Sequence, residues 1–179
     1  MTRVRSLAIA TSVALLAGAL ASGAALASAR HASASFVDTT GAAVGWAKLV
    51  EDSTGVVHVN IHVAGVSPGL HGIHIHAVGS CSPTFGAAGG HYNPLGHKHG
   101  LDNPDGPHAG DLPNLVVNPA GNGHLDATTD RVTISAGATT LFDADGSALI
   151  IHLNPDDQVT DATNGGSGAR IACAVIQAD

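Results

Sequence analysis

Basic residues are scarce in this 179-residue chain, which has 7 lysines and arginines against 14 aspartates and glutamates. Two of the seven, Arg3 and Arg5, lie close to the N-terminus, so the chain after residue 29 carries a net charge of −9 with histidine neutral. Such an acidic domain is a poor partner for nucleic acid or an anionic membrane. We therefore expect neither among its partners.

The chain after residue 29 also lacks the 3.6-residue apolar period of a helix. Short apolar or alternating runs, separated by Gly, Pro, Asn and Asp, take its place and are typical of β-strands. Strands are predicted at residues 41–50, 56–63, 72–77, 115–118, 131–134, 148–153 and 169–177. Seven or eight short strands indicate an antiparallel sandwich or a flattened barrel.

The first 29 residues have the pattern of a secretory signal peptide. The two arginines form a positive start, residues 7–20 are apolar, and Ala27-Ser28-Ala29 fits a cleavage site for small residues. An uncleaved membrane anchor is the alternative, because residues 7–29 are nearly long enough to span a bilayer. Their many Ala, Ser and Gly favour cleavage. We expect a protein secreted or held in the cell envelope, without stable membrane insertion after cleavage.

Only two cysteines are present, Cys81 and Cys173. In an exported protein a single pair favours one disulfide over two buried free thiols. Closing a loop of this length would stabilise the fold by about 4–5 kcal/mol in the chain-entropy model. The roughly 150 residues after the signal segment suffice for an ordinary core, so the fold does not depend on unusual stabilisation.

Two long stretches interrupt the strand pattern, residues 78–113 and 154–168, and both are rich in Gly, Pro, Asn and Asp. Loops of this length in a compact domain are usually functional or disordered. The first contains four histidines and a cysteine, which favours a loop organised by metal and disulfide.

Histidine is abundant, with 12 copies, and seven potential metal ligands follow one another along the chain. On a strand, His74 and His76 point to the same face because they are two residues apart. The other candidates are His91, His99, His108, Asp111 and His152. Imidazole and carboxylate suit zinc, and several imidazoles suit copper. Six histidines and one aspartate can fill two four-ligand sites only if one residue serves both ions.

These motifs resemble the copper/zinc superoxide dismutases, and the similarity extends, in the same order, over essentially all of the chain after residue 29. The matching segments are Gly72-Ile73-His74-Ile75-His76, residues 90–94, His99-Gly100, residues 108–112, Ile151-His152 and residues 165–173. The short gap from His76 to Cys81 is more similar to bacterial members. The resemblance implies one domain over residues 30–179, an all-β Greek-key antiparallel barrel or sandwich of about eight strands with two long functional loops.

The resemblance also implies the roles of the site residues. Copper would be bound by His74, His76, His91 and His152, and zinc by His91, His99, His108 and Asp111, with His91 as the bridge. Cys81 would pair with Cys173. Arg170 would attract the small anion at the mouth of the copper site. Asp156, with Asp157 as the alternative, would link a copper histidine to a zinc histidine.

The implied activity is the disproportionation of superoxide to oxygen and hydrogen peroxide, an antioxidant reaction with copper cycling between Cu(II) and Cu(I). The sequence departs from many members of the family in the loop before Arg170, where lysines help to attract superoxide. Here residues 154–169 contain three aspartates and no lysine. Attraction of superoxide would depend mostly on Arg170 and the copper, so we expect a rate below the best relatives and a weak dependence on ionic strength.

The remaining histidines have simpler interpretations. His71 points away from the ligand face and is expected to brace the site through a backbone hydrogen bond. His31, His58, His62, His97 and His124 are expected at the surface, although His58 and His62 could form an incidental metal site.

Other functions compete with the dismutase interpretation. An exported copper and zinc buffer without turnover would use the same histidines but would have no use for Arg170. A domain that had lost copper would lack a ligand, and none is missing. Hydrolysis at zinc is disfavoured because four protein ligands leave no position for water. The resemblance is compatible with either a monomer or a homodimer.

Overall fold

The computed structural model of the protein describes residues 30–179, so the predicted signal peptide lies outside the described residues. This part of the chain forms ten β-strands. They are β1 (Arg30–Asp38), β2 (Ala43–Glu51), β3 (Val57–Ala64), β4 (Gly69–His71), β5 (Ile73–His76), β6 (Leu115–Val117), β7 (Asn122–Thr129), β8 (Ala148–His152), β9 (Arg170–Val175) and β10 (Gln177–Ala178). The only helices in this range are 3-10 helices at Phe85–Ala88 and Asp161–Gly166. None of the helices in residues 30–179 has the length and apolar character needed to cross a bilayer.

The strands pair antiparallel in the order β4-β6-β7-β3-β2-β1-β9-β8-β5, with β10 also paired to β1. The two ends of this path, β4 and β5, are separated in the chain only by Gly72, so the sheet curls into a nearly closed barrel. The neighbours β3 and β7, like β1 and β9, are far apart in sequence, as Greek-key connections require. The predicted all-β barrel is confirmed.

Strand β3 shows why the sequence folds in this way. Val57, Val59, Ile61 and Val63 are buried, while the residues between them face outward. Burying alternate β-branched side chains against the core is the main stabilisation of such a strand. The burial pattern confirms the prediction made from its alternation.

Strands β1 and β7 and the three-residue β4 were not predicted from the sequence. In β1 the inward residues Ala32 and Ala34 are small, so the difference in hydropathy between inward and outward residues is small. In β7 the buried Gly123 and Leu125 stand among Asn, Asp, His and Thr, a composition typical of turns. Its strand form comes from pairing with β3 along its whole length, which is a tertiary effect.

The strand predicted at residues 131–134 is wrong. The segment makes only an isolated bridge, between Thr133 and Thr140. The backbone N–H groups of Ile134 and Ser135 donate to the carboxylate of Glu51 instead of to a neighbouring strand. A side chain therefore replaces the partner strand.

The two predicted long loops are present, between β5 and β6 and between β8 and β9. The first loop returns along β5, because bridges join His74 to Asp111 and His76 to His91. All four residues of β5 are consequently buried, with the core on one face and the loop on the other. This burial positions the site.

Candidate metal centre

One group of four histidines lies where β5, β8 and the first long loop meet. Each of them offers a ring nitrogen, and these nitrogens all lie within 4.8 Å of one another. The members are His74, His76, His91 and His152. The rings of His74 and His91 stack with centroids 3.9 Å apart, and those of His76 and His152 with centroids 5.6 Å apart.

Three of these histidines have one ring nitrogen engaged and the other free. Nδ1 of His76 lies 3.0 Å from the carbonyl of Gly89, and Nδ1 of His152 lies 3.1 Å from the carbonyl of Gly168. Because a carbonyl only accepts, these Nδ1 atoms carry the proton. Nε2 of each ring is buried without a hydrogen-bond partner, as is Nδ1 of His74. Buried, unpartnered nitrogens directed at one another fit a bound metal ion.

Burial and neighbouring charge keep these imidazoles neutral. Burial lowers the pKa of His74 to about 3, of His76 to about 2 and of His152 to about 4. The guanidinium of Arg170 also acts to lower the pKa of His76 and of His152. Neutral imidazole is the form that binds copper or zinc, so the pKa values favour ligation.

A second group surrounds the carboxylate of Asp111. Its Oδ1 lies 3.1 Å from Nδ1 of His91, 3.1 Å from Nδ1 of His99 and 3.4 Å from Nδ1 of His108. His74, His91, His99 and Asp111 offer ligand atoms within 4.8 Å of one another, and Nδ1 of His108 lies 3.3 Å from Nδ1 of His91. The imidazoles of His91, His99 and His108 together with the carboxylate of Asp111 match the ligand chemistry and number of a closed zinc site.

Asp111 is held rigidly in this group. Its Oδ2 accepts the backbone N–H groups of Gly100 and His108 at 2.8 and 3.0 Å. Burial acts to raise the pKa of Asp111, but hydrogen bonds from the three histidines and from Gly100 hold it well below its usual value. The carboxylates of Asp111 and Asp156 overcome the effect of burial on His99 and raise its pKa to about 9. The group therefore attracts positive charge.

Asp156, rather than Asp157, contacts the histidines. Its carboxylate lies 2.5 Å from Nε2 of His74 and 3.1 Å from Nε2 of His99. Asp157 is exposed and accepts the backbone N–H groups of Val159 and Thr160. The link between the two groups thus has the geometry that the resemblance implied for Asp156.

The predicted disulfide is present, with the Cα atoms of Cys81 and Cys173 5.9 Å apart. It attaches the first long loop to β9, three residues from Arg170. The Arg170 guanidinium donates to the carbonyls of Phe85 and Gly89, both at 2.6 Å. Arg170 also borders an open cavity of about 410 Å³. Arg170 also pairs with His152 across β9 and β8, so the arginine lies next to the first histidine group with access to solvent.

The other histidines lie mainly as expected. His71 is buried, and its ring nitrogens lie 2.8 Å from the carbonyls of His152 and Ser67, which confirms its bracing role. The five histidines expected at the surface are exposed, namely His31, His58, His62, His97 and His124.

Sequence reasoning missed the supporting groups. Arg131 donates from Nη2 to the carbonyl of Asp111 at 2.7 Å, and the carbonyls of Gly89 and Gly168 orient two ligand rings. The position of a backbone carbonyl cannot be predicted from the type of residue that carries it. Arg131 is one of few basic residues, but its partner Asp111 lies 20 residues earlier in the chain. The contact therefore could not be predicted from local sequence.

Comparison with known proteins agrees with this geometry. The family model for copper/zinc superoxide dismutase matches residues 43–176. Superoxide dismutase [Cu-Zn] 2 of Aquifex aeolicus is 43% identical over 149 residues, covering 82% of this chain and 86% of the relative. The superoxide dismutase-like protein YojM of Bacillus subtilis is 40% identical, covering 78% and 72%.

A solved structure of a superoxide dismutase-like protein from Bacillus subtilis has a TM-score of 0.75 at 39% identity, covering 79% of this chain and 95% of that one. The family match, the named relatives and the two ligand groups show an enzyme, a superoxide dismutase with copper and zinc as cofactors. The chain belongs to the copper/zinc superoxide dismutase family.

Proposed function

We propose that this protein disproportionates superoxide at a redox-active copper with an adjacent structural zinc, the two ions sharing His91. Two superoxide anions and two protons then give one oxygen molecule and one hydrogen peroxide. The copper ligands are His74, His76, His91 and His152, and the zinc ligands are His91, His99, His108 and Asp111. The observation that carries the proposal is the convergence of three buried, unpartnered ring nitrogens in the first group.

Copper, when bound, supplies one-electron chemistry by alternating between Cu(II) and Cu(I), and imidazole ligands suit both states. The surrounding residues keep the ligand rings from turning. In His76 and in His152 a backbone carbonyl accepts a hydrogen bond from Nδ1 and so fixes the orientation of the ring, which leaves Nε2 free to bind the ion. Such outer contacts fix the tautomer and the direction of the lone pair.

His91 is the best candidate for the shared ligand. It is a member of both ligand groups, and its Nδ1 faces Asp111 and His108. His74 also belongs to both groups, but its Nε2 is occupied by Asp156. Only one of its nitrogens therefore remains for an ion. Held in this position, His91 can keep or deliver a proton at the nitrogen that faces the copper ligands.

Arg170 is assigned to anion binding. Its guanidinium is oriented by two backbone carbonyls, both accepting at 2.6 Å, and it carries a fixed positive charge at all physiological pH values. Superoxide is a small anion, so a fixed cation beside the copper ligands would attract and orient it. A storage protein for copper and zinc would gain nothing from a cation at this place.

We further propose that the protein acts outside the cytoplasm. The support is the signal-like pattern of residues 1–29 together with the disulfide between Cys81 and Cys173. Fractionation of cells expressing the full chain, with N-terminal sequencing of the product, tests this. Recovery of the intact chain from the cytoplasm would contradict it.

The function is tested by metal analysis of the purified protein beside a superoxide decay assay. We expect one copper and one zinc per chain with rapid decay, and His152→Ala should lose copper and activity together. His97→Ala, which alters an exposed histidine of the first long loop, is the control and should retain both. Copper retained by the wild-type protein without turnover would favour the buffering function.

A further inference from the structure

A pair of histidines lies on the outer face of the barrel, on strands that contribute nothing to the buried centre. His62 of β3 is directly opposite His124 of β7, and both side chains are exposed. Their Nδ1 atoms are 3.3 Å apart, and their ring centroids are 4.2 Å apart. The two imidazoles therefore face each other across neighbouring strands.

The pairing differs from the one considered from the sequence, which joined His58 to His62. These two residues are four apart on one strand, so their positions are separated by about 13 Å at roughly 3.3 Å per residue. Nε2 of His58 lies 3.1 Å from Asp52 instead. His58 consequently takes no part in the pair.

The separation of the two Nδ1 atoms suits a shared ion. Zinc binds imidazole nitrogen at about 2.0–2.1 Å, so two nitrogens on one tetrahedral or square-planar ion lie roughly 2.9–3.4 Å apart. The observed 3.3 Å falls within this range. The register of the two strands thus already places both nitrogens at a distance that one ion can bridge.

Neighbouring side chains fix the orientation of both rings. Nε2 of His124 lies 2.6 Å from Oδ2 of Asp126, and Asn60 donates to the other oxygen of the same carboxylate. Since a carboxylate accepts, the proton of His124 is placed on Nε2 and Nδ1 keeps its lone pair. The indole of Trp46 packs on the ring of His62 with centroids 4.5 Å apart. A carboxylate behind a ligand histidine is a common support of metal sites.

We propose that His62 and His124 form a surface site for one divalent transition-metal ion of the kind that prefers imidazole, with Cu(II) bound more tightly than Zn(II). The site is separate from the buried copper and zinc ligands and does not depend on turnover. Water completes the coordination, because both rings are exposed on a convex sheet surface.

The test uses the full copper- and zinc-loaded protein, so that the buried ligands are already occupied. Titration with Zn(II), followed calorimetrically, should show one additional ion per chain. Titration with Cu(II), followed by electron paramagnetic resonance, should show a second copper signal with nitrogen ligands. His62→Gln or His124→Gln should raise the dissociation constant at least tenfold, and Asp126→Asn should raise it about 10-fold or more, as for other supporting carboxylates.

His58→Gln is the matched control, since His58 lies on the same face of the same strand and also contacts a carboxylate. It should leave the dissociation constant within twofold of wild type. Superoxide decay should be unchanged in His62→Gln and His124→Gln, which separates this site from the proposed function. Absence of an additional ion, or an equal loss in His58→Gln, would overturn the proposal.

Discussion

Oδ2 of Asp156 lies 2.5 Å from Nε2 of His74, and neither side chain is accessible to solvent. The same carboxylate lies 3.1 Å from Nε2 of His99. Burial acts to raise the pKa of Asp156, but hydrogen bonds from the two rings outweigh it and lower the pKa below its usual value. One buried carboxylate therefore connects a proposed copper ligand to a proposed zinc ligand and leaves Nδ1 of each ring for an ion.

Asp156→Asn should weaken metal binding because the amide cannot accept from both rings as a carboxylate does. We expect the affinity for zinc to fall about 10–100-fold, the usual cost of removing a supporting group, with a smaller loss for copper. Competition with a chromophoric chelator measures both. Asp157→Asn is the control, and an equal loss in that variant would refute the connecting role.

Gly165 lies directly against the carboxylate of Asp156. A Cβ on Gly165 would overlap the Asp156 carboxylate, whereas a Cβ on Gly166 would meet nothing within 4 Å. Both residues have left-handed φ values, +67° and +69°, so alanine at either costs about 1–2 kcal/mol of backbone strain. Only Gly165→Ala should also displace Asp156, and chelator competition should show weakened zinc binding in that variant alone. Equal zinc affinity in the two variants would contradict this.

Much of the site follows from the sequence because its signals are local. The spacing of His74 and His76 places both rings on one face of a strand, whatever the rest of the fold. The order of the loop histidines then carries the resemblance to the family. The choice of Asp156 over Asp157 came from its position four residues after His152 in the resemblance, and the carboxylate contacts agree with it.

Contacts between segments distant in the chain were not predictable in the same way. The pairing of His62 with His124 depends on the register of β3 against β7, and β7 has a composition typical of turns. The predicted strand at residues 131–134 failed for a related reason, since its backbone donors are taken by Glu51 from 83 residues earlier. The strand register and the hydrogen bonds from backbone N–H groups to a distant side chain depend on the folded barrel. Neither can be predicted from residue types along the chain.

Loss of the disulfide should destabilise the fold and loosen Arg170. Cys81 and Cys173 are 92 residues apart, and a loop of this size contributes about 4–5 kcal/mol in the chain-entropy model. The Cys81→Ala, Cys173→Ala double variant should unfold at lower denaturant, with a loss of about 2–5 kcal/mol. A reducing agent should shift the wild-type midpoint but not that of the variant. Coinciding oxidised and reduced wild-type curves would contradict the prediction.

Attraction of superoxide should depend on Arg170 more than on any lysine. Lys98 is paired with Asp161 at 3.0 Å, and the second long loop has no lysine. Arg170→Ala should lower the second-order rate constant about tenfold or more, with partial recovery in Arg170→Lys. Lys98→Ala should stay within twofold of wild type. Stopped-flow decay that slows steeply with added salt would show that other positive charges steer the anion.

The stability of the barrel should depend on pH through Glu51. This buried carboxylate accepts the N–H groups of Ile134 and Ser135 at 2.7 and 2.6 Å and the Ser135 hydroxyl at 2.5 Å. Burial acts to raise its pKa, but these hydrogen bonds, with the charge of Arg30, lower it below the ordinary value of 4.5.

Because the folded pKa of Glu51 is lowered, its contribution to stability is complete above about pH 4.5 and is lost as the pH falls through the folded value. Glu51→Gln should reduce the free energy of unfolding by about 1.5–3 kcal/mol at pH 7, the range for hydrogen bonds to a charged group. The difference from wild type should narrow as the pH falls from 5 to 3. Denaturant unfolding of both proteins at matched metal content measures it, and a difference independent of pH would show that packing, not charge, holds residues 134–135.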